Sequence, residues 1–198
     1  MRASKTALAA GVSVPLIYLA TLAVGGWLAP DYSHLTQYAS ELGMSGSPSA
    51  DFFNGGILLT AVTTMAGSVG LYIAARRESL SKLWPVLAGV SLGLFGVGLV
   101  FGALFPMPDP RHGGFGLGMG VHLAPLFLAL ALRSSTERTN LKRYLIATAI
   151  LMAAFLLPMF GVGGLVTQAN VGLFQRLYAL MVFGWIGIAS YALLRPGR

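Results

Sequence analysis

The chain has 198 residues, of which 56% are hydrophobic and only 10% are charged, and its mean hydropathy is +0.75. A soluble domain carries about 25% charged residues, so this composition excludes an ordinary soluble protein and indicates a surface that mostly faces lipid. Cysteine is absent, which excludes disulfides, thiolate metal sites, iron–sulfur clusters and cysteine nucleophiles.

Six apolar stretches are each long enough to cross a membrane, which takes about 20 helical residues. We place them, in chain order, at residues 6–29, 52–74, 83–105, 115–132, 144–166 and 173–194. The fourth stretch is the shortest, and alternating glycines weaken its start. The pattern predicts an all-α, polytopic six-helix transmembrane bundle that forms a single domain over residues 1–198.

The basic residues alternate between loops in a way that predicts orientation. Eleven of the thirteen Lys and Arg residues fall at the termini and in the second and fourth loops: Arg2, Lys5, Arg76, Arg77, Lys82, Arg133, Arg138, Lys142, Arg143, Arg195 and Arg198. The opposite loops hold only Arg111 and Arg176. Under the positive-inside rule both termini are cytoplasmic. The net charge of +7 is therefore explained by these loops, and we expect no nucleic-acid partner.

The first outer loop carries a helical pattern of polar residues. In the segment DYSHLTQYASELG, the side chains of His34, Gln37, Tyr38 and Glu41 recur at the spacing of one helix face. We expect a short amphipathic helix over residues 33–43 that lies at the membrane surface or folds back over the bundle. Its polar face either contributes to a site or simply meets water.

The third stretch contains two G-x-x-x-G pairs, Gly89 with Gly93 and Gly98 with Gly102. Small residues at this spacing allow the backbones of membrane helices to approach closely. We therefore expect a central, tightly packed helix. Packing within one chain is favoured over a homodimer face, although a homo- or hetero-oligomer stays open.

Arg176 opens the last stretch at its outer end, where a cation is disfavoured by the helix dipole. It needs an anionic partner, and Glu41 is the first candidate and Asp51 the second. A bound anionic group would serve equally well. The alternative is that the arginine reaches the phosphate headgroups of the membrane.

His122 lies about seven residues into the fourth stretch, roughly 10 Å below its outer end at 1.5 Å per residue. At that depth a hydrogen-bonded residue of the bundle is favoured over a metal ligand. A zinc site built from His34, His112 and His122 with Glu41 or Asp31 is imaginable, because all lie on one side, but no spacing demands it. We predict no metal and no cofactor.

Several short motifs in a fixed order resemble those of a known family. They are Ser40-Glu41-Leu42-Gly43 in the first loop, Phe53-Asn54, Phe105-Pro106, His122 and Gly172-x-x-Gln175-Arg176. The chain resembles the prokaryotic six-helix membrane family catalogued as domain of unknown function 998, which is distantly similar to the Frag1/DRAM/Sfk1-like membrane proteins. This resemblance implies a multi-pass protein of the prokaryotic cytoplasmic (inner) membrane and implies no particular activity.

Three functions remain open from the sequence. The first is the binding or handling of a lipid or small amphiphile in an outward-facing polar pocket. The second is a structural or regulatory subunit without its own chemistry. The third is a membrane-embedded hydrolase or transferase, possibly metal-dependent, with Glu41 or His122 as the general base. The predicted ligand-binding residues are Arg176, Gln175, His122, Glu41, Asn54, Tyr38 and His34.

Overall fold

The computed structural model describes residues 2–195, so Arg198 of the predicted basic tail lies outside the described residues. The helices are α1 (Arg2–Leu28), α2 (Ala50–Glu78), α3 (Leu83–Leu104), α4 (Gly120–Ala131), α5 (Thr139–Met159) and α6 (Val171–Leu194). Short 3₁₀ helices occupy Ala39–Gly43, Pro110–Met119 and Val162–Gly164. Residues 2–195 contain no β-strand.

Six segments are long and apolar enough to cross a membrane, and the fourth combines the 3₁₀ helix Pro110–Met119 with α4. Large apolar side chains such as Leu16 (66% exposed) and Ile150 (63% exposed) point away from the bundle, as lipid-facing residues do. The prediction of an all-α, multi-pass membrane protein with six spans is confirmed.

Several helices extend beyond the predicted spans, since α1 begins at Arg2, α2 ends at Glu78 and α5 begins at Thr139. Two other boundaries are shortened because glycine backbones interrupt the helix. The fifth span ends at Met159, and not at residue 166, because Gly161, Gly163 and Gly164 follow with φ of 86°, 80° and 64°. These positive φ values are open to glycine at little steric cost. In the fourth span the α-helix begins only at Gly120, after positive φ values at residues 114–116.

Side-chain contacts define the two ends of the bundle. At one end Arg138 forms an ion pair with Glu78 at 2.9 Å and donates to the carbonyl oxygens of Ala192 and Arg195. We call this the termini end, and it gathers the basic loops of the described chain. The other end, which we call the first-loop end, carries residues 29–49. Which end faces the cytoplasm stays a prediction from the charge bias.

Glycines allow neighbouring segments to approach closely, as the G-x-x-x-G pairs of the third apolar stretch predicted. A Cβ added to Gly98 of α3 would lie 3.0 Å from the backbone nitrogen of Gly118. Between α1 and α2, a Cβ on Gly67 would lie 2.8 Å from the Cα of Gly11. The segment Pro110–Met119 therefore lies directly against α3, and both contacts are packing within one chain.

Candidate functional site

The first loop binds its own backbone through polar side chains. Gln37 accepts a hydrogen bond from the Ser33 amide through Oε1 at 2.7 Å and donates through Nε2 to Glu41 at 2.9 Å. The Glu41 carboxylate also accepts from the Tyr38 amide at 2.7 Å. These bonds favour turns over residues 33–38, and the loop is helical only in the 3₁₀ helix Ala39–Gly43.

The end of this loop is attached to the bundle by buried contacts. Asn54 of α2 donates from its side-chain amide to the carbonyl oxygen of Gly43 at 2.9 Å. The Ser49 hydroxyl donates to the carbonyl oxygen of Leu42 at 2.9 Å, and the Leu42 side chain is fully buried. Residues 39–49 therefore form a fixed cover over the first-loop end.

Arg176 of α6 is the main polar link between the last helix and the first loop. Its guanidinium donates to His34 Nδ1 at 3.1 Å, to the Gln37 carbonyl at 2.9 Å, to the Gly172 carbonyl at 2.7 Å and to the Tyr32 hydroxyl. Three of these bonds, to Tyr32, His34 and Gln37, cross-link the loop to the start of α6, and the bond to Gly172 lies within α6 itself.

The expected ion pair between Arg176 and Glu41, or its alternative with Asp51, does not form. The ion pairs among residues 2–195 are those of Arg111 with Asp109 and of Arg138 with Glu78. Carbonyl oxygens, a hydroxyl and an imidazole nitrogen satisfy the Arg176 guanidinium instead, because its rigid fork of N–H groups matches several acceptors at once.

The environment of Arg176 perturbs two neighbouring groups. Burial, followed by the nearby Arg176 charge, lowers the pKa of His34. A neutral His34 is able to accept a hydrogen bond at Nδ1 from the arginine, whereas a protonated one is not. Burial raises the pKa of Tyr32, and Arg176 opposes that rise.

A cavity of about 280 Å³ lies beneath the 3₁₀ helix Ala39–Gly43, between α1, α2, α3, α6 and the segment Pro110–Met119. Its wall is mainly apolar and aromatic, with side chains that include Phe53, Phe95, Leu99, Val182 and Phe183. The polar side chains on the wall are Tyr18, Ser40, His112, Gln175 and Tyr178. No Asp, Glu, Lys or Arg of the described chain lines this cavity.

The polar groups of the wall are held by specific bonds. Gln175 accepts from the Ala39 amide through Oε1 at 2.6 Å. The Tyr178 hydroxyl is hydrogen-bonded to His122 Nε2, and the two rings stack. His122 Nδ1 in turn lies 3.0 Å from the Met119 carbonyl oxygen. Gln175 and Tyr178 therefore have fixed orientations on α6.

Of the seven predicted ligand-binding residues, Gln175 lines this cavity directly and His122 contacts it through Tyr178. The other five lie in the first loop or bind it: His34, Tyr38 and Glu41 lie in the loop, and Asn54 and Arg176 donate hydrogen bonds to it. Glu41 also lines a separate hollow of about 230 Å³ with Asp31 and Tyr32. Glu41, His122 and Arg176 thus do not converge on one cavity.

The cavity includes Tyr178 and Phe183, which the sequence reasoning missed. Relative to Gln175 they stand at i+3 and i+8, and Ala179 and Val182 at i+4 and i+7. This spacing lies on one helix face. Extending the helical periodicity from Gln175 along α6 would have identified this wall.

The three histidines occupy separate places. His34 accepts from Arg176, His122 contacts Tyr178, and His112 Nδ1 lies 3.0 Å from the Phe105 carbonyl oxygen. Within the described residues, no group of three or more His, Asp or Glu side chains is arranged to hold a metal ion. The imagined zinc site therefore has no support in this geometry.

Comparison of the whole chain with known proteins shows to which family it belongs. No curated protein and no solved structure matches the chain. One family's sequence profile matches residues 12–192, which is nearly the whole length and includes the first loop, the cavity wall and at least part of every span. The chain belongs to that family, which is described as a protein of unknown function (DUF998).

Proposed function

We propose that this membrane protein binds a small amphiphile, with the apolar chain of the ligand in the cavity beneath Ala39–Gly43. The observation that carries the proposal is the composition of the wall, which is mainly aromatic and apolar with a few polar side chains, two of them, Gln175 and Tyr178, on α6. Ligand sites in proteins commonly combine an apolar lining with a few convergent polar groups. Under the predicted orientation, the cavity lies at the outer side of the membrane.

The size of the cavity limits the ligand. Its volume of about 280 Å³ lies just below the range of roughly 300–1,000 Å³ that is usual for small-molecule pockets. This volume suits one hydrocarbon chain and is too small for a whole two-chain phospholipid. The proposed ligand is therefore a single-chain amphiphile, or one chain of a larger lipid.

A cavity-filling variant tests the proposal. A Cβ at Gly118, which lines the cavity, meets no atom within 4 Å, so Gly118→Leu should place its side chain in free space. Gly55 of α2 is equally unobstructed, is exposed and lines no cavity described above, so Gly55→Leu is a matched control. The purified full-length protein in nanodiscs would be labelled with single-chain diazirine probes that carry hydroxyl, phosphate or methyl ether heads.

We expect the wild type and Gly55→Leu to be crosslinked at cavity residues such as Phe183 and Val182. In Gly118→Leu this labelling should fall by about tenfold, because the introduced side chain occupies the space of the ligand. The proposal is wrong if no probe labels these residues in the wild type. It is also wrong if Gly118→Leu is labelled as strongly as its control.

A structural or regulatory subunit is the second candidate, and one observation favours it. Arg176 uses three hydrogen bonds to hold the first loop, which is a stabilising role that requires no ligand. The hydrolase or transferase alternative lacks such support, since neither Glu41 nor His122 lines the cavity.

A further inference from the structure

We infer that the ligand of this cavity carries an uncharged hydroxyl head and that single-chain alcohols are the class it takes, in preference to amphiphiles with anionic heads. This inference rests on the proposed function and deepens it. Three features of the structure carry it: the lack of Asp, Glu, Lys and Arg on the wall as described, the hydrogen bonds that occupy Arg176, and a donor on Gln175 and an acceptor on Tyr178 on one face of α6.

The wall, as described, has no positively charged side chain that could pair with an anionic head group. Its polar side chains are Tyr18, Ser40, His112, Gln175 and Tyr178, and no Lys or Arg of the described chain joins them. An unpaired ionised group is far more costly to bury in an apolar cavity than a neutral polar one. An amphiphile with a phosphate head would therefore have to leave its head outside.

Arg176 is the one Lys or Arg in the sequence of α6, and four of its five N–H donors are already used. A guanidinium has five N–H groups, and four hydrogen bonds run from Arg176 to Tyr32, His34, Gln37 and Gly172. The residue also does not line the cavity. Our sequence expectation that Arg176 binds an anionic head thus conflicts with its position.

Gln175 presents a donor to the cavity. A backbone N–H needs an acceptor, so the oxygen of the Gln175 amide is the atom that faces the Ala39 amide, at 2.6 Å. The –NH₂ half of the side chain takes part in no hydrogen bond within the described part of the chain. It is therefore free to donate to a ligand oxygen.

The hydroxyl oxygen of Tyr178 is available as a hydrogen-bond acceptor, because its proton is donated to His122. The Met119 carbonyl oxygen can only accept, so His122 Nδ1, 3.0 Å away, carries the proton. In the neutral imidazole, Nε2 is then an acceptor and receives the Tyr178 O–H. The phenolic oxygen keeps its lone pairs for another donor.

A donor and an acceptor thus stand three residues apart on one face of α6. A hydroxyl group both donates and accepts, so it satisfies Gln175 and Tyr178 together. An ether or ketone would satisfy only Gln175 and would leave Tyr178 unmatched. A phosphate would bring a negative charge next to the Tyr178 acceptor, on a wall to which the described residues contribute no Lys or Arg.

Competition against crosslinking by the hydroxyl-headed diazirine probe tests which head group the cavity prefers. Dodecanol, dodecyl phosphate and dodecyl methyl ether would be compared at equal mole fraction in nanodiscs that contain the full-length protein. We expect dodecanol to compete at least about tenfold more effectively than the phosphate and about fivefold more effectively than the ether, as expected for one lost hydrogen bond.

Tyr178→Phe keeps the ring and removes the acceptor. It should weaken competition by dodecanol about fivefold and leave the ether unchanged, so ether binding reports that the cavity is intact. Tyr191→Phe, on the same helix and away from the cavity, is the matched control and should behave as the wild type.

The possible results separate the head-group inference, the role of Tyr178 and the proposed function. Equal or better competition by dodecyl phosphate overturns the inference while the proposed function stands. Equal competition by the ether, or an unchanged preference for alcohol in Tyr178→Phe, overturns the role of the Tyr178 acceptor. The absence of labelling by all probes overturns the proposed function itself.

Discussion

Arg176 at the start of α6 donates a hydrogen bond to the hydroxyl of Tyr32, and its guanidinium carbon lies 5.4 Å from the centre of the same tyrosine ring. The Tyr32 hydroxyl in turn donates to the carbonyl oxygen of Tyr38 at 3.0 Å. One arginine thereby holds a loop that is more than 130 residues distant in the chain. The loop covers the cavity, so this contact links the stability of the fold to the proposed site.

Arg176→Lys should lower the free energy of unfolding by about 2 kcal/mol, because a lysine cannot reproduce several directed bonds at once. Combining it with Tyr32→Phe should cost less than the sum of the two single changes, with a coupling of about 1 kcal/mol. Unfolding of the purified protein in detergent measures both quantities. Strict additivity would contradict a direct Arg176–Tyr32 contact.

Acidification should weaken the attachment of the first loop through His34. The folded pKa of His34 is lowered, so below the unfolded value of about 6.5 the unfolded chain binds a proton that the folded chain resists. The contribution of His34 to stability is thus present at neutral pH and falls as the pH drops from about 6.5 through the lowered folded pKa.

The matching variant is His34→Gln, which keeps a side-chain acceptor but does not titrate. Thermal unfolding between pH 5 and pH 7.5 should show a smaller loss of stability on acidification in His34→Gln than in the wild type. Identical pH profiles for the two proteins would remove His34 as the source of the effect.

Gly67→Leu should destabilise the contact between α1 and α2. A Cβ at this position would lie 2.8 Å from the Cα of Gly11, and overpacking of this kind typically costs about 1–3 kcal/mol. Gly55→Leu on the same helix has open space and should unfold like the wild type. A stable Gly67→Leu protein would mean that the two helices separate at little cost.

The orientation can be tested with introduced cysteines, since the natural chain has none. Ser45 lies at the first-loop end and Ser134 at the termini end, and both are exposed. In intact cells Ser45→Cys should react with an impermeant maleimide, and Ser134→Cys should react only after the membrane is opened. The reverse pattern would invert the predicted topology and place the cavity on the cytoplasmic side.

The spans were predictable because membrane crossing is a local property of the sequence. Apolar length alone located all six, and the confirmed bundle has α3 packed through the glycines that its G-x-x-x-G pairs indicated. Apolar length placed the end of the fifth span at residue 166, whereas the helix ends at Met159. Pro158 and the glycines after it are the sequence signal for this early end, and those glycines adopt positive φ values.

The sequence by itself determined that this is a six-span membrane protein and sorted its basic residues by loop, because hydropathy and charge act within a single segment. It also selected Arg176, Gln175 and His122 as polar groups that require partners. Only the tertiary structure decided what those partners are. Arg176 contacts Tyr32 and His34, and not Glu41, because its geometry depends on how a distant loop folds over α6. The cavity likewise exists only where six separate segments meet, five of them around it and the 3₁₀ helix Ala39–Gly43 above it.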